Sequence, residues 1–234
     1  MKNRLFNYFT KFEMCLFIFS LVLIISTFVI FDRVNYLTLI SSLIGVTSLI
    51  LAAKGNPISQ ILIIIFSIQY SIISWQEKYY GEIFTYIGMT LPMAVLALVE
   101  WIKHPYKGNK HEVEITLLCK KDILLMFFFT LIVTFIFYFI LLYTNTSNLI
   151  VSTISITTSF IAVYLTYKRS PYYAIGYALN DIVLIVLWIY ASIDDLSYIS
   201  VIACFVTFLI NDIYGFVAWV KMRKRQLLND WIKE

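Results

Sequence analysis

The stretch ILLMFFFTLIVTFIFYFILLY, Ile123–Tyr143, runs for 21 residues without a charge, a glycine or a proline. A helix rises about 1.5 Å per residue, so this length crosses a hydrocarbon layer roughly 30 Å thick. Lipid offers no partner for a free backbone N–H or C=O, and a lone apolar segment satisfies them only as a helix. Ile123–Tyr143 therefore reads as a membrane-spanning helix. Seven further apolar runs flank it: Met14–Phe31, Tyr36–Ala53, Pro57–Trp75, Tyr80–Trp101, Asn148–Tyr167, Tyr172–Tyr190 and Tyr198–Val220. Short polar joints separate them, and the only longer hydrophilic stretch is Ile102–Asp122. The expected fold is an all-α membrane protein of about eight spans, with no room for a separate soluble domain.

Composition agrees. The chain is 61% hydrophobic and 14% charged with mean hydropathy +0.84, whereas soluble domains are about half apolar and about a quarter charged. The net charge of +4 is dispersed in short clusters, which excludes the contiguous basic face of a nucleic-acid binder. Cys15, Cys119 and Cys204 have neither metal-ligand nor disulfide-framework spacing. No phosphate-binding Gly-Lys loop, zinc-spaced His pair or Gly-x-Ser-x-Gly elbow occurs. His104 and His111 read as solvated side chains. An enzyme, an ATP-driven pump and a bound cofactor or metal are not expected. Lys2, Arg4 and Lys11 precede Met14–Phe31 in the manner of a signal peptide. That run has no small-residue cleavage site and reaches Asp32 and Arg33, so it reads as a retained span.

Placing the N-terminus in the cytoplasm puts sixteen of the eighteen Lys and Arg on the inner side, leaving only Arg33 and Lys78 outside. The positive-inside rule then gives two cytoplasmic termini in a cytoplasmic membrane. An internal repeat is also legible. Lys54-Gly-Asn-Pro57 and Lys168-Arg-Ser-Pro171 follow the second and sixth spans; Val99-Glu-Trp-Ile-Lys103 and Val217-Ala-Trp-Val-Lys221 close the fourth and eighth. The expected plan is an extra first helix (1–35), a triple-helix bundle (36–101), a loop with a linker helix (102–147), and a second triple-helix bundle with a basic tail (148–234). This is a parallel 3+1+3 arrangement, with the solute site between the halves.

Ionisable groups deep in spans normally face a cavity or a partner. Asn180 and Asp181 lie midway along the seventh span, and Trp188 follows Asp181 by seven positions on the same face. Asn211, Asp212 and Tyr214 lie in the eighth span, Gln69 and Tyr70 in the third. Glu82, Tyr86, Met89 and Met93 follow one face of the fourth, which Pro92 can bend. For Asp181 and Asp212 the cavity reading leads; for Asn180 and Asn211 helix–helix hydrogen bonding stands level with it. Trp101 and Trp219, at span ends, read as interfacial anchors.

Trp75-Gln-Glu-Lys-Tyr-Tyr-Gly-Glu82 with Leu91-Pro-Met93, Asn180-Asp181 through Trp188, and Phe208-Leu-Ile-Asn-Asp-Ile-Tyr-Gly215 with Trp219 resemble the PnuC-type nicotinamide riboside transporters, over roughly Tyr36 to Arg225. The resemblance implies uptake of a vitamin-like nucleoside for NAD biosynthesis by facilitated diffusion, with trapping by a cytosolic kinase. It also implies a homotrimer and a fold similar to the SWEET sugar transporters built from triple-helix bundles, and it adds Trp75 to the binding residues. The chain departs from the family's pattern twice. It has Phe66 where a Gln is expected one turn before Tyr70, and Asp181 where an Asn is expected seven residues before Trp188. Relatives with altered cavities carry thiamine, riboflavin or deoxynucleosides. Nicotinamide riboside and thiamine carry a fixed positive charge on an aromatic ring, which aromatic faces and a carboxylate attract. The leading expectation is a facilitator for such a cation. The alternatives are a thiamine or deoxynucleoside carrier, proton-coupled uptake with Asp181 as proton carrier, and a ligand-binding subunit that moves nothing.

Overall fold

A computed structural model of the chain describes residues 8–231. Lys2, Arg4 and Lys233, counted in the charge bias, lie outside them. The apolar runs form eight helices: α1 (Lys11–Thr27, prolonged by a π-helical turn over Phe28–Asp32), α2 (Tyr36–Ala52), α3 (Ile58–Gln76), α4 (Tyr80–Lys103), α5 (Lys120–Tyr143), α6 (Leu149–Tyr167), α7 (Tyr173–Asp194) and α8 (Ile199–Trp231). Seven of these are long and apolar enough to cross a membrane; α2 is apolar but only 17 residues long. The protein is a multi-pass, all-helical membrane protein.

Sequence fixes the ends of the helices by ordinary chemistry. Thr10 caps α1 reciprocally: Glu13 N donates to Thr10 Oγ1 at 3.2 Å, and Thr10 N donates to Glu13 Oε2 at 2.6 Å. Inside α4 the seven residues Phe84–Thr90 are π-helical immediately before Leu91 and Pro92. Proline removes one N–H and crowds the preceding turn, and a widened turn accommodates it.

Consecutive helices pack in the order α2–α3–α4 and α6–α7–α8. α2 also lies against α8, α4 against α6, and α1 against both α2 and α8. α5 touches chiefly α6 and buries only Met126, Thr130 and Leu141. Its phenylalanines at 127, 128, 135 and 139 face outward, as lipid-solvated side chains do. Two crossings are close because the residue is glycine. A Cβ on Gly176 would lie 2.8 Å from Ala162 Cα, and one on Gly45 would lie 2.1 Å from Phe208 Cζ.

One local structure occurs twice. After α2, Gly55 adopts φ 68°; its N–H returns to Ala52 O and that of Asn56 to Leu51 O. After α6, Arg169 adopts φ 55°; its N–H returns to Thr166 O and that of Ser170 to Leu165 O. The same two carbonyls each accept an indole: Trp219 Nε1 donates to Ala52 O at 2.8 Å and Trp101 Nε1 to Thr166 O at 3.0 Å. The indoles sit 5.4 Å apart and are fully buried. Trp101 and Trp219 are therefore core pins, not the interfacial anchors that their span-end positions suggest. A buried indole N–H needs an acceptor, and helix C-termini supply free carbonyls.

The hydrophilic stretch Ile102–Asp122 is more ordered than a loop. Pro105–Tyr106 pairs with Asn109–Val113 as an antiparallel hairpin. Val113 is fully buried and its N–H reaches Gly55 O at 3.0 Å, while Thr116 N reaches Arg169 O at 3.1 Å. Gln226 donates to Val113 O and accepts from Ile115 N. The hairpin thus ties together the turns after α2 and α6 and the end of α8. That is why α8 continues to Trp231, past the expected limit at Val220. Lys168 meets Asp122 at 2.8 Å beside the hairpin, and this hydrogen bond raises the ammonium pKa above its ordinary value.

Candidate functional site

Between the two helix triplets lies a small internal cavity of about 40 Å³. Leu49, Ile63 and Phe66 border it from α2 and α3, and Tyr86 and Thr90 from α4. Tyr177, Asn180 and Asp181 come from α7, and Phe208 and Asp212 from α8. The α-helical period explains two of these pairs. Tyr177 precedes Asp181 by four residues and Phe208 precedes Asp212 by four, so each carboxyl shares a helix face with a ring. Gly45 lets the Phe208 ring lie directly on α2. The π-helical turn of α4 presents Tyr86 and Thr90 together.

Asp181 and Asp212 border the same cavity from α7 and α8. Both are buried, and no lysine, arginine or histidine borders the cavity. Asn180 Oδ1 accepts from Thr158 and Ser159 of α6, both at 2.9 Å. Asn180 therefore locks α6 to α7 while bordering the cavity. Unpartnered buried oxygens in these spans are Asp181 Oδ2, both oxygens of Glu82, Gln69 Oε1, Asn211 Oδ1 and the hydroxyls of Ser41 and Ser74, and of these Asp181 Oδ2 belongs to the cavity wall. A surplus of acceptors over donors in a dry interior calls for an occupant that brings positive charge or hydrogen-bond donors.

On the side away from the hairpin the cavity is roofed by rings. Tyr70 stacks on Phe66 at 5.5 Å and meets Tyr86 at 4.5 Å. Trp188 Nε1 donates to Tyr70 Oη at 2.6 Å, with Tyr79 and Tyr198 each 5.3 Å from the indole. Tyr198 in turn donates to Glu77. Toward the hairpin, Tyr173 packs on Trp219 at 4.7 Å beside Trp101, in a second buried cluster.

The eleven residues picked from sequence thus divide. Tyr86, Asn180, Asp181 and Asp212 border the cavity; Tyr70 and Trp188 form its roof. Glu82 is fully buried beside Ser155, next to the wall but not in it. Gln69 is half-buried one position from Tyr70. Asn211 donates to Ser20 of α1 at 3.0 Å and to Thr207 O, a helix–helix tie. Tyr214 donates to Glu13 Oε1 at 2.8 Å near Lys54, which meets Glu13 Oε2 at 2.8 Å. That network joins α1 to α8, away from the cavity. Trp75 is 65% exposed at the end of α3. The apolar members of the wall, Leu49, Ile63, Phe208 and the ring of Tyr177, were not singled out as binding residues in the sequence. The i−4 spacing from each Asp was the available signal for the last two.

Residues 35–221 match the nicotinamide mononucleotide transporter family. The chain belongs to that family. It is 24% identical over 230 residues to the nicotinamide riboside transporter PnuC of Neisseria mucosa, covering 96% of this chain and 86% of that protein. It is also similar to the crystal structure of the vitamin B3 transporter PnuC, with a TM-score of 0.82 at 22% identity over 96% of this chain and 97% of that one. At that identity the likeness establishes the PnuC-type fold.

Proposed function

We propose that this PnuC-family protein carries an unphosphorylated, positively charged vitamin, nicotinamide riboside or a close analogue, across the cytoplasmic membrane. The observation that carries the reading is the cavity wall: four aromatic rings, two carboxyls and no basic side chain. Rings and carboxylates attract a cationic heteroaromatic ring. The same wall repels a phosphate ester, whose charge would meet two carboxyls with no lysine or arginine to receive it. The family is described by the mononucleotide and the Neisseria relative by the riboside; the wall favours the riboside. Thiamine is the second reading. It is favoured by Phe66, which puts an apolar ring in the wall where an amide was expected.

Transport is by facilitated diffusion, and a cytosolic kinase that phosphorylates the solute gives it direction. The cavity is far smaller than the roughly 300 Å³ or more that a drug-sized ligand fills, so the closed form must open and swell. The π-helical turn before Pro92 in α4 breaks the regular α-helical ladder beside the wall, and it is our choice of hinge. α2–α4 and α6–α8 are read as a parallel 3+1+3 repeat of the SWEET-like kind, with α5 as linker. The twin turns at Gly55 and Arg169 and the twin indole pins support that reading. The charge bias supports cytoplasmic termini, and the family resemblance supports a homotrimer.

The test is uptake by liposomes holding only this protein. Labelled nicotinamide riboside should enter until the two sides are equal and then stop. Accumulation that an uncoupler abolishes would replace facilitation with proton-driven uptake. No entry by a folded protein that binds the solute would make it a receptor subunit.

A further inference from the structure

The pair Asp181–Asp212 has a consequence for charge. The two carboxyls border the same 40 Å³ cavity, each residue is only 3% exposed, and Asp181 Oδ2 has no partner. Of the other titratable side chains, Tyr86 and Tyr177 border the same cavity, Tyr70 packs on Tyr86, and Glu82, Tyr173 and Cys204 are buried in α4, α7 and α8. α2 and α6 contain no charged residue, and α1 reaches this depth with Ser20. None of these neighbours is a cation. Two carboxylates sharing so small and dry a space repel one another unless a proton or a counter-charge lies between them.

We propose that the Asp181–Asp212 pair is a charge-exchange seat, holding a proton when the cavity is empty and a cationic ring when it is occupied. On entry of the ring the shared O–H bond breaks and the proton leaves to water on the open side; no bond forms to the solute. The pair then carries two negative charges against one positive, the same net charge as with the proton. Proton and solute therefore compete for one place.

The inference rests on the cation-carrying reading above and is tested by calorimetry on the purified full-length protein. Nicotinamide riboside and thiamine are titrated at one pH in buffers of different ionisation enthalpy, with uridine as the neutral control. About one proton should be released per cation bound and none with uridine. The apparent affinity for the cation should rise about tenfold per pH unit over the acid range, as release of one proton requires. Asp212→Asn, checked for normal unfolding temperature, should flatten that dependence. Cation binding without proton release, at an affinity independent of pH, would overturn the exchange and leave the carrier reading standing. Failure of folded wild-type protein to bind either cation would overturn both.

Discussion

Gly45→Ala is a small change that should strike the site through one ring. The added Cβ would lie 2.1 Å from Phe208 Cζ and 2.9 Å from Cε1, so the ring must retreat by about 1.3 Å to regain ordinary contact. Phe66 at 5.4 Å and Phe205 at 5.6 Å between centroids stand on its flanks. The remaining way out is into the cavity that the ring borders. Overpacking of this kind costs about 1–3 kcal/mol, and the gain of Ala over Gly in a helix returns roughly 0.5–1 of it. Global stability should therefore fall by no more than about 2.5 kcal/mol. Binding should suffer more, because the occupant must now expel the ring: an affinity loss of tenfold or greater, about 1.4 kcal/mol per decade. Calorimetric titration of nicotinamide riboside, paired with thermal unfolding of each protein, separates the two effects. Gly45→Ala with Phe208→Leu should recover most of the affinity by giving the methyl group its space. Wild-type affinity in a folded Gly45→Ala single variant would refute Phe208 as a wall that the solute must displace.

Trp101→Phe and Trp219→Phe should each lower stability by about 1 kcal/mol, read as a fall in unfolding temperature. The carbonyls they abandon keep a backbone partner, Arg169 N on Thr166 O and Gly55 N on Ala52 O, so neither becomes an orphan. Trp75→Ala should leave affinity unchanged in the same titration, since that ring is exposed at a helix end. A reporter fused after Glu234 or placed near Asn109 should read cytoplasmic, and one between Asp194 and Leu196 external.

The helices were legible because lipid makes one demand, about 20 apolar residues per crossing, and the chain meets it repeatedly. The carboxyls were legible for the converse reason, since Asp181 and Asp212 have no business in lipid. Their rings were not. In a membrane protein Phe208 inside and Phe128 outside are both apolar residues on apolar helices, and hydropathy cannot tell a wall from a lipid face. Only Gly45, on another helix, marks where Phe208 goes. Trp101 and Trp219 misled because tryptophan near a span end has two uses, and the choice depends on a free carbonyl supplied by a partner helix. Tyr214 needed knowledge of α1, whose Glu13, itself paired with Lys54, accepts from the Tyr214 hydroxyl. The hairpin at 105–113 was hidden because its one buried apolar residue, Val113, sits among charges.

The central claim is that a cavity of rings and carboxyls selects an unphosphorylated cation. Titrating one preparation with nicotinamide riboside, its 5′-phosphate ester and uridine tests it most directly. The riboside should bind tightest, uridine more weakly for want of the charge, and the ester at least a hundredfold more weakly than the riboside. Asp181→Asn should narrow the gap between riboside and ester. Binding of the ester as tight as that of the riboside would contradict the account, because it would require a basic group that this wall does not contain.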